Sequence, residues 1–155
     1  MNLFAYGTLM GIEGLRDALG DRASTLKLRP ARLPGWRRIW NVYRPEWNGG
    51  VLNAEPSTDA VIVGVLVEGL AEEDFVRLDA QEATHLPREQ VYIEPIGAEV
   101  VPAQVYRRRK GNHTGRPSGR YKTVVLERAY RAGWEVYESV CRGSVDASGQ
   151  SLVFG

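Results

Sequence analysis

Glu82 is the side chain in this sequence that is best placed for acid/base chemistry. It follows Leu78 by four residues and Phe75 by seven, so all three share one face of any helix that runs through Glu82. A carboxylate on such an apolar, inward face is costly unless it is paired or functional, and partial burial is one way in which a protein tunes a carboxyl group for general acid/base catalysis. If the helix ends earlier, Glu82 is solvated. The residues alone support a buried and a solvated Glu82 equally.

The second candidate is the stretch Phe4-Ala5-Tyr6-Gly7-Thr8-Leu9-Met10. Apolar residues followed by an aromatic residue, a glycine and a hydroxyl residue predict a short buried strand that ends in a tight turn. The consecutive backbone N–H groups of Gly7, Thr8 and Leu9 could then face one space, where they would suit a carboxylate or an oxyanion. For these residues alone, a plain strand-to-helix turn is the simpler interpretation.

Other polar residues carry weaker signals. Tyr121 could offer its hydroxyl to a ligand at the mouth of a predicted helix, although core packing is the commoner role of a tyrosine. Asp79 can cap a turn, and Arg88 is more typical of a charged surface. The basic run Arg107–Lys110 indicates a solvated strand end, because no aromatic platform for nucleic acid accompanies it. We expect His113 in an exposed loop.

The elements that must position these residues follow from the periodicity of the chain. Alternating and β-branched runs predict strands at residues 2–6, 37–43, 51–54, 60–67, 90–96 and 99–107. Apolar spacings of three and four predict helices at residues 11–19, from 72 through at least 78, at 120–132 with Ser118 as N-cap, and at 134–141. Pro30 and Pro34 indicate an edge or loop at residues 31–36.

These elements predict an α+β fold. Hairpins dominate the pattern, so we expect a small, mainly antiparallel, barrel-like sheet with flanking helices. The last two strands are expected to form an antiparallel pair that turns at residues 95–97, and residues 110–119 a polar loop. Gly64 interrupts the most β-branched run, which indicates a bulge or the close approach of another element.

The composition is typical of one globular domain. The chain has 155 residues, of which 43% are hydrophobic and 25% charged, and we place a single domain at residues 1–142 and a C-terminal tail at residues 143–155. The 20 basic and 19 acidic side chains give a net charge of +1, which provides no long-range field for nucleic acid or an acidic membrane.

The content of cysteine and histidine argues against metal chemistry. Cys141 is the only cysteine, and His85 and His113 are the only histidines, so an internal disulfide and a cysteine-based metal cluster are excluded. No apolar run has the length of a membrane span, and the first residues lack a basic targeting region. We therefore expect a cytoplasmic protein with no metal, no cofactor and no nucleic-acid or membrane partner, in an oligomeric state that stays open.

Four motifs in chain order resemble signatures of the γ-glutamylcyclotransferase-like superfamily, which includes the AIG2-like proteins. Tyr6-Gly7-Thr8-Leu9 is similar to the family's Tyr-Gly-Ser/Thr-Leu turn. Val63–Val67 followed by Leu78-Asp79-Ala80-Gln81-Glu82 resembles its Val-x-Gly-x-Leu/Val strand and Leu-Asp-x-x-Glu segment. Arg88-Glu89-Gln90-Val91 resembles Arg-x-x-Val, and Pro117–Tyr121 resembles the Pro-Ser-x-x-Tyr that starts a late helix.

The resemblance covers nearly the whole chain, from residue 4 to about residue 137, and it implies an activity. It implies a small barrel-like domain with a cavity at its mouth, in which Glu82 is the catalytic acid/base and Tyr121 lines the cavity. Substrate would be bound by Tyr6, Gly7, Thr8 and Leu9. The implied enzyme is a cofactor-independent γ-glutamyl cyclotransferase that releases 5-oxoproline from a γ-glutamyl amine or γ-glutamyl amino acid.

Three positions depart from the family's pattern. Leu86 stands where relatives often have tyrosine, Ala83 where they often have glycine, and Thr8 in place of a serine, a replacement that relatives also show. These departures leave the acid/base in place and alter the expected substrate pocket. The alternative is therefore a non-catalytic small-molecule-binding or regulatory domain on the same fold. Nucleic-acid binding through Arg107–Lys110 is a more distant third hypothesis.

Overall fold

The computed structural model of the chain describes residues 1–152 and residue 154. Val153 and Gly155, in the predicted C-terminal tail, lie outside the described residues. The described strands are β1 (Leu3–Ala5), β2 (Lys27–Arg44), β3 (Gly49–Glu68), β4 (Arg88–Pro95), β5 (Val101–Tyr106) and β6 (Ser144–Asp146). The described α-helices are α1 (Ile12–Leu19), α2 (Glu72–Glu82), α3 (Gly119–Ala132) and α4 (Trp134–Gly143).

A closed barrel of five strands forms the centre of the molecule. Neighbouring strands follow the order β3-β1-β5-β4-β2, and a further pairing of β2 with β3 closes the ring. Four of its five contacts are antiparallel, and β1 runs parallel to β5. Farther along β2, beyond its pairing with β4, Arg38–Trp40 pair in parallel with β6. The predicted α+β, mainly antiparallel, barrel-like fold is confirmed.

A long hairpin of β2 and β3 supplies much of the barrel wall. Its register runs from Lys27 opposite Glu68 to Arg44 opposite Gly49, and the two strands connect through a 3-10 turn and Asn48. Asn48 has φ 51°, a left-handed conformation that asparagine tolerates better than most residues. The two separate strands that we predicted within residues 51–67 are parts of one twenty-residue strand.

The prediction of an edge or loop at residues 31–36 is wrong. These residues lie inside β2, with Pro30 opposite Val65 and Pro34 opposite Val61. The register shifts directly after Pro34, where Gly35 has φ 80°. A proline cannot donate to the strand ladder, and a register shift of this kind lets a paired strand accommodate one. The sequence rule identified the irregularity but misjudged its extent.

Gly64 lies where β3 passes against β1. A Cβ at this position would lie 2.5 Å from the carbonyl oxygen of Ala5 and 2.8 Å from Cζ of Phe4. Contacts that short do not occur for real Cβ atoms, so the backbones can approach this closely only at a glycine. The predicted close approach of another element is confirmed.

Helix α2 continues to Glu82, which decides the question that the sequence left open. Phe75, Leu78 and Glu82 are all buried along it, with Glu82 only 4% exposed. At the other end, the Asp74 carboxylate accepts a hydrogen bond from the Ala71 N–H at 2.8 Å, which satisfies one of the free donors of the first turn. The carboxylate of Glu82 is therefore presented on the inward face.

The late helices and the antiparallel pair of β4 and β5 follow the predictions. Ser118 caps α3, with its Oγ accepting from the Tyr121 N–H at 3.2 Å, and Gly133 ends that helix. Tyr121 is thereby fixed in the first turn of α3 with its ring directed into the core. No helix of residues 1–152 is long and apolar enough to cross a membrane.

Candidate active site

A cavity opens where the turn after β1 meets the ends of β2 and α2. Its volume is about 30 Å³, on the scale of about two water molecules. All six residues predicted for the site line it: Tyr6, Gly7, Thr8, Leu9, Glu82 and Tyr121. The remaining lining residues are Phe4, Ala5, Arg44, Val51, Leu52, Leu86 and Tyr106. The structure thus brings three segments that are far apart in the chain around one small space.

Glu82 is paired with Arg44 inside this cavity. Nη1 of Arg44 donates to Oε2 of Glu82 at 2.6 Å, and both residues are less than a tenth exposed. The other carboxylate oxygen, Oε1, has one long contact at 3.3 Å from the side chain of its neighbour Gln81. One oxygen of Glu82 is therefore held by a cation, and the other retains capacity to exchange a proton.

Arg44 itself is held between two carboxylates. Its Nε lies 2.5 Å from Oε1 of Glu46, and Nη2 donates to the carbonyl oxygen of Gln81 at 3.2 Å. Burial by itself lowers the pKa of Arg44, but the charges of Glu82 and Glu46 and their hydrogen bonds outweigh it and raise the pKa. The guanidinium is therefore a fixed positive charge at the cavity.

The turn after β1 supplies the backbone wall of the cavity. Thr8–Met10 form a single 3-10 turn, closed by a hydrogen bond from the Met10 N–H to the carbonyl oxygen of Gly7 at 3.1 Å. The first N–H groups of any helical turn have no acceptor inside it, which applies here to those of Thr8 and Leu9. These donors belong to residues that line the same cavity as Glu82.

The hydroxyl of Tyr121 is packed against this turn. A Cβ on Gly7 would lie 2.6 Å from the Tyr121 hydroxyl oxygen, so only a glycine leaves room for the phenol. Trp40 and Trp47 hold the Tyr121 ring by edge-to-face contacts, with centroids 5.6 and 5.1 Å away. Burial, followed by the charge of Glu82, raises the pKa of Tyr121, so the phenol is neutral and able to donate.

Tyr6 closes the inner end of the cavity. Its hydroxyl donates to the carbonyl oxygen of Tyr106 at 2.5 Å, which ties the end of β1 to the end of β5. Burial raises the pKa of Tyr6 well above its ordinary value, and the neighbouring Tyr121 and Glu82 act in the same direction. Tyr6 is therefore a neutral, already engaged hydrogen-bond donor.

Asp79 and Arg88 form an ion pair behind the cavity. Arg88 donates to both oxygens of Asp79, at 2.9 and 3.1 Å, and the Tyr106 hydroxyl donates to Asp79 at 2.7 Å. Burial raises the pKa of Asp79, but these hydrogen bonds outweigh it and hold the pKa below its usual value. Arg88 lies only partly at the surface that we favoured for it, with its side chain 28% exposed, and it positions Tyr106 through Asp79.

Arg107 also departs from its prediction. It is 8% exposed, pairs with Glu89 and stacks over Trp36 at 4.8 Å, whereas Arg109 in the same run is 79% exposed at its side chain. The basic run is therefore solvated only in part. His113 is half-buried rather than exposed, with its ring 5.6 Å from that of Tyr43.

Sequence reasoning missed Arg44 and Arg38. Arg38 is 1% exposed and donates to the carbonyl oxygens of Tyr6 and Val63 at 2.9 and 2.8 Å and to Oγ of Ser139 at 2.8 Å. Burial lowers the pKa of Arg38 to about 9. Nothing in the local pattern distinguishes these two among the other basic residues. For Arg44, the available signal was the requirement of a buried carboxylate for a counter-charge.

The comparisons with known proteins agree with this fold. Residues 3–131 match the sequence profile of the family described as gamma-glutamyl cyclotransferase, AIG2-like, and the chain belongs to that family. No curated protein sequence matches the chain.

Similar solved structures share the barrel. A gamma-glutamyl cyclotransferase has a TM-score of 0.78 at 17% identity, over 90% of this chain and 84% of its own. An uncharacterised protein from Homo sapiens has a TM-score of 0.77 at 18% identity, over 90% of this chain and 83% of its own. YkqA from Bacillus subtilis has a TM-score of 0.74 at 18% identity, over 90% of this chain and 52% of its own. At these identities the likeness shows the fold.

Proposed function

We propose that this protein is a cofactor-independent γ-glutamyl cyclotransferase with Glu82 as its general acid/base. The observation that carries the proposal is the buried carboxylate of Glu82 on a cavity that the turn Gly7–Leu9 also lines. A buried, arginine-paired carboxylate beside free backbone donors provides a proton acceptor and an anion-binding wall in one place. Membership of the γ-glutamyl cyclotransferase family supports the same reaction class.

The reaction moves two protons from the α-nitrogen of the substrate to its leaving nitrogen. The α-ammonium of the substrate gives a proton to Glu82, and the resulting amine attacks its own γ-carbonyl carbon to close a five-membered ring. Glu82 returns this proton to the leaving nitrogen as its bond to the γ-carbon breaks, and a second proton then passes by way of Glu82 from the ring nitrogen to the released amine. The products are 5-oxoproline and a free amine or amino acid, and no co-reactant is consumed.

In this mechanism the two oxygens of Glu82 have different tasks. Oε2 stays hydrogen-bonded to Arg44, which fixes the orientation of the carboxylate. Oε1 is the oxygen that accepts the proton from the α-ammonium. The N–H groups of Thr8 and Leu9 bind the substrate carboxylate or the developing oxyanion, a contribution that reaches several kcal/mol in related chemistry. The cavity of about 30 Å³ must widen to admit the glutamyl chain, and its apolar wall then favours the folded, attacking shape.

The test is release of 5-oxoproline from a panel of γ-glutamyl amino acids and γ-glutamyl amines. Wild-type protein should turn over at least one member, and Glu82→Gln should lower kcat by about a hundredfold or more, because glutamine cannot exchange the proton. Circular dichroism and thermal unfolding establish that the variant is folded. Equal release by both proteins would exclude Glu82 from the chemistry.

The alternative is a binding or regulatory domain without turnover, and the ion pair of Arg44 with Glu82 favours it. A carboxylate already matched by a buried arginine has less need of a substrate ammonium. The small cavity, with Leu86 in its wall, favours it as well. This hypothesis predicts no 5-oxoproline from any member of the panel, together with a concentration-dependent rise in Tm on adding a γ-glutamyl compound.

A further inference from the structure

A second cavity adjoins the proposed active site on its open side. It has a volume of about 250 Å³, and Thr8, Arg44 and Glu82 line both cavities. Its other lining residues are Gly14, Asp17, Glu46, Trp47, Gln81, Arg120 and Arg128. Since Glu82 lines both spaces, a substrate with its scissile bond at Glu82 would extend its leaving half into the larger one.

The two cavities differ in chemical character. Apolar and aromatic side chains dominate the small one, whereas charged side chains dominate the large one. The large cavity is lined by three cations and three carboxylates, and Arg44 is already engaged with both Glu82 and Glu46. Asp17 has no ion pair among residues 1–152 and is exposed at the rim. The partners of the remaining cations therefore decide what this cavity can bind.

Arg120 and Arg128 use only main-chain oxygens as partners among the described contacts. Arg128 donates to the carbonyl oxygen of Thr8 at 2.5 Å, and Arg120 donates to the carbonyl oxygen of Glu46. Each guanidinium carries five N–H donors, so most of their donors are left for other groups. The wall of the cavity therefore offers more donors than acceptors.

The orientation of Arg120 suits a planar anion. Its guanidinium stacks over the ring of Trp47, 4.6 Å from the centroid. Stacking occupies the face of the guanidinium and leaves its edge, which carries the N–H groups, for a bidentate contact. Carboxylates have the matching geometry, with two oxygens in one plane.

We infer that the larger cavity is the subsite for the leaving half of the substrate and that Arg120 and Arg128 select a leaving half that carries a carboxylate. The inference rests on the proposed cyclotransferase function. The substrate class is then a γ-glutamyl amino acid rather than a γ-glutamyl amine. Leaving halves that lack a carboxylate leave these arginine donors without an acidic partner.

Three matched substrates test the inference with the intact protein. They are γ-glutamylalanine, γ-glutamylethylamide, which lacks only the carboxylate, and γ-glutamyl-(2-aminoethyl)amide, which has a cation instead. Wild-type kcat/KM should be about tenfold or more higher for γ-glutamylalanine than for the ethylamide, as expected for a charge-assisted hydrogen bond. In Arg120→Gln this preference should fall below about threefold.

Arg131→Gln is the control, because Arg131 is an exposed arginine of the same helix that pairs with Glu13 outside this cavity. Its preference for γ-glutamylalanine should match that of the wild type. Turnover with no preference for γ-glutamylalanine, a preference for the cationic substrate, or an unchanged preference in Arg120→Gln would overturn the inference and leave the proposed function standing. Release of 5-oxoproline from none of the three would overturn both.

Discussion

Arg44 and Glu82 form a buried ion pair in which Nη1 and Oε2 are 2.6 Å apart, and it joins the end of β2 to the end of α2. Removing one partner of a buried pair leaves an uncompensated charge and costs about 3–5 kcal/mol. We therefore expect Arg44→Gln to lower the free energy of unfolding by a large amount in urea titrations. The double variant with Glu82→Gln should recover part of that loss, because no buried charge is left unpaired.

Arg37→Gln is the control for this first prediction. Arg37 pairs with Glu55 at 2.7 Å, but both side chains are about 30% exposed. A pair of that exposure contributes at most about 1 kcal/mol. If Arg44→Gln proves no more destabilising than Arg37→Gln, the ion pair of Arg44 with Glu82 does not stabilise the protein as a buried pair would.

Gly14→Ala should damage the candidate site from a distance. Alanine normally stabilises a helix by about 1 kcal/mol relative to glycine. Here its Cβ would lie 2.1 Å from the carbonyl oxygen of Thr8 and 2.8 Å from Nη1 of Arg128, so the turn must shift. We expect a loss of about 1–3 kcal/mol and a lower kcat/KM, measured by thermal unfolding and 5-oxoproline release. Gly143→Ala, whose Cβ meets nothing closer than 3.9 Å, should lower neither stability nor kcat/KM.

Asp74 should give the protein a recognisable sensitivity to acid. Burial raises the pKa of this carboxyl, but the hydrogen bonds from the Ala71 N–H and Arg22 outweigh it and lower the pKa. A lowered folded-state pKa contributes stability that is present above the unfolded value of about 3.9 and is lost as the pH falls through the folded value. At pH 7, Asp74→Asn should therefore unfold more easily in urea than wild type.

The pH dependence separates this effect from a simple loss of packing. The difference in unfolding free energy between wild type and Asp74→Asn should shrink as the pH falls below about 4, because wild-type Asp74 is then protonated as well. Asp59→Asn, at an exposed position, serves as the control. A difference in unfolding free energy that stays constant from pH 7 to pH 3 would contradict a lowered pKa for Asp74 in the folded protein.

Tyr121→Phe should affect ligand binding more than folding. The variant keeps the ring between Trp40 and Trp47 and removes only the hydroxyl that is packed against Gly7. We expect kcat/KM to fall by about tenfold, the value of one lost hydrogen bond, with a change of less than about 1 kcal/mol in stability. Tyr43→Phe is the control: Tyr43 is half-exposed, and this variant should leave kcat/KM unchanged. Equal kinetics for wild type and Tyr121→Phe would exclude a hydroxyl contact with substrate.

Most of the fold was predictable from the sequence because its elements are encoded locally. Apolar spacing predicted the four α-helices, and Ser118 and Gly133 marked both ends of α3. Residues 31–36 were misjudged because the rule for proline is local, whereas a register shift depends on which strand lies opposite. Closure of the barrel also depends on pairings between residues far apart in the chain, which no local pattern encodes.

The candidate site was likewise predictable from the sequence only in part. The sequence by itself identified Tyr6–Leu9 and Glu82 as the candidates for chemistry, since their types and spacing are local properties. Only the tertiary structure decided that the carboxylate is buried and that Arg44, 38 residues away, is its partner. The physical reason is that burial and pairing of charge arise when β2, α2 and the β1 turn meet. A counter-charge can come from any part of the chain that folding brings there.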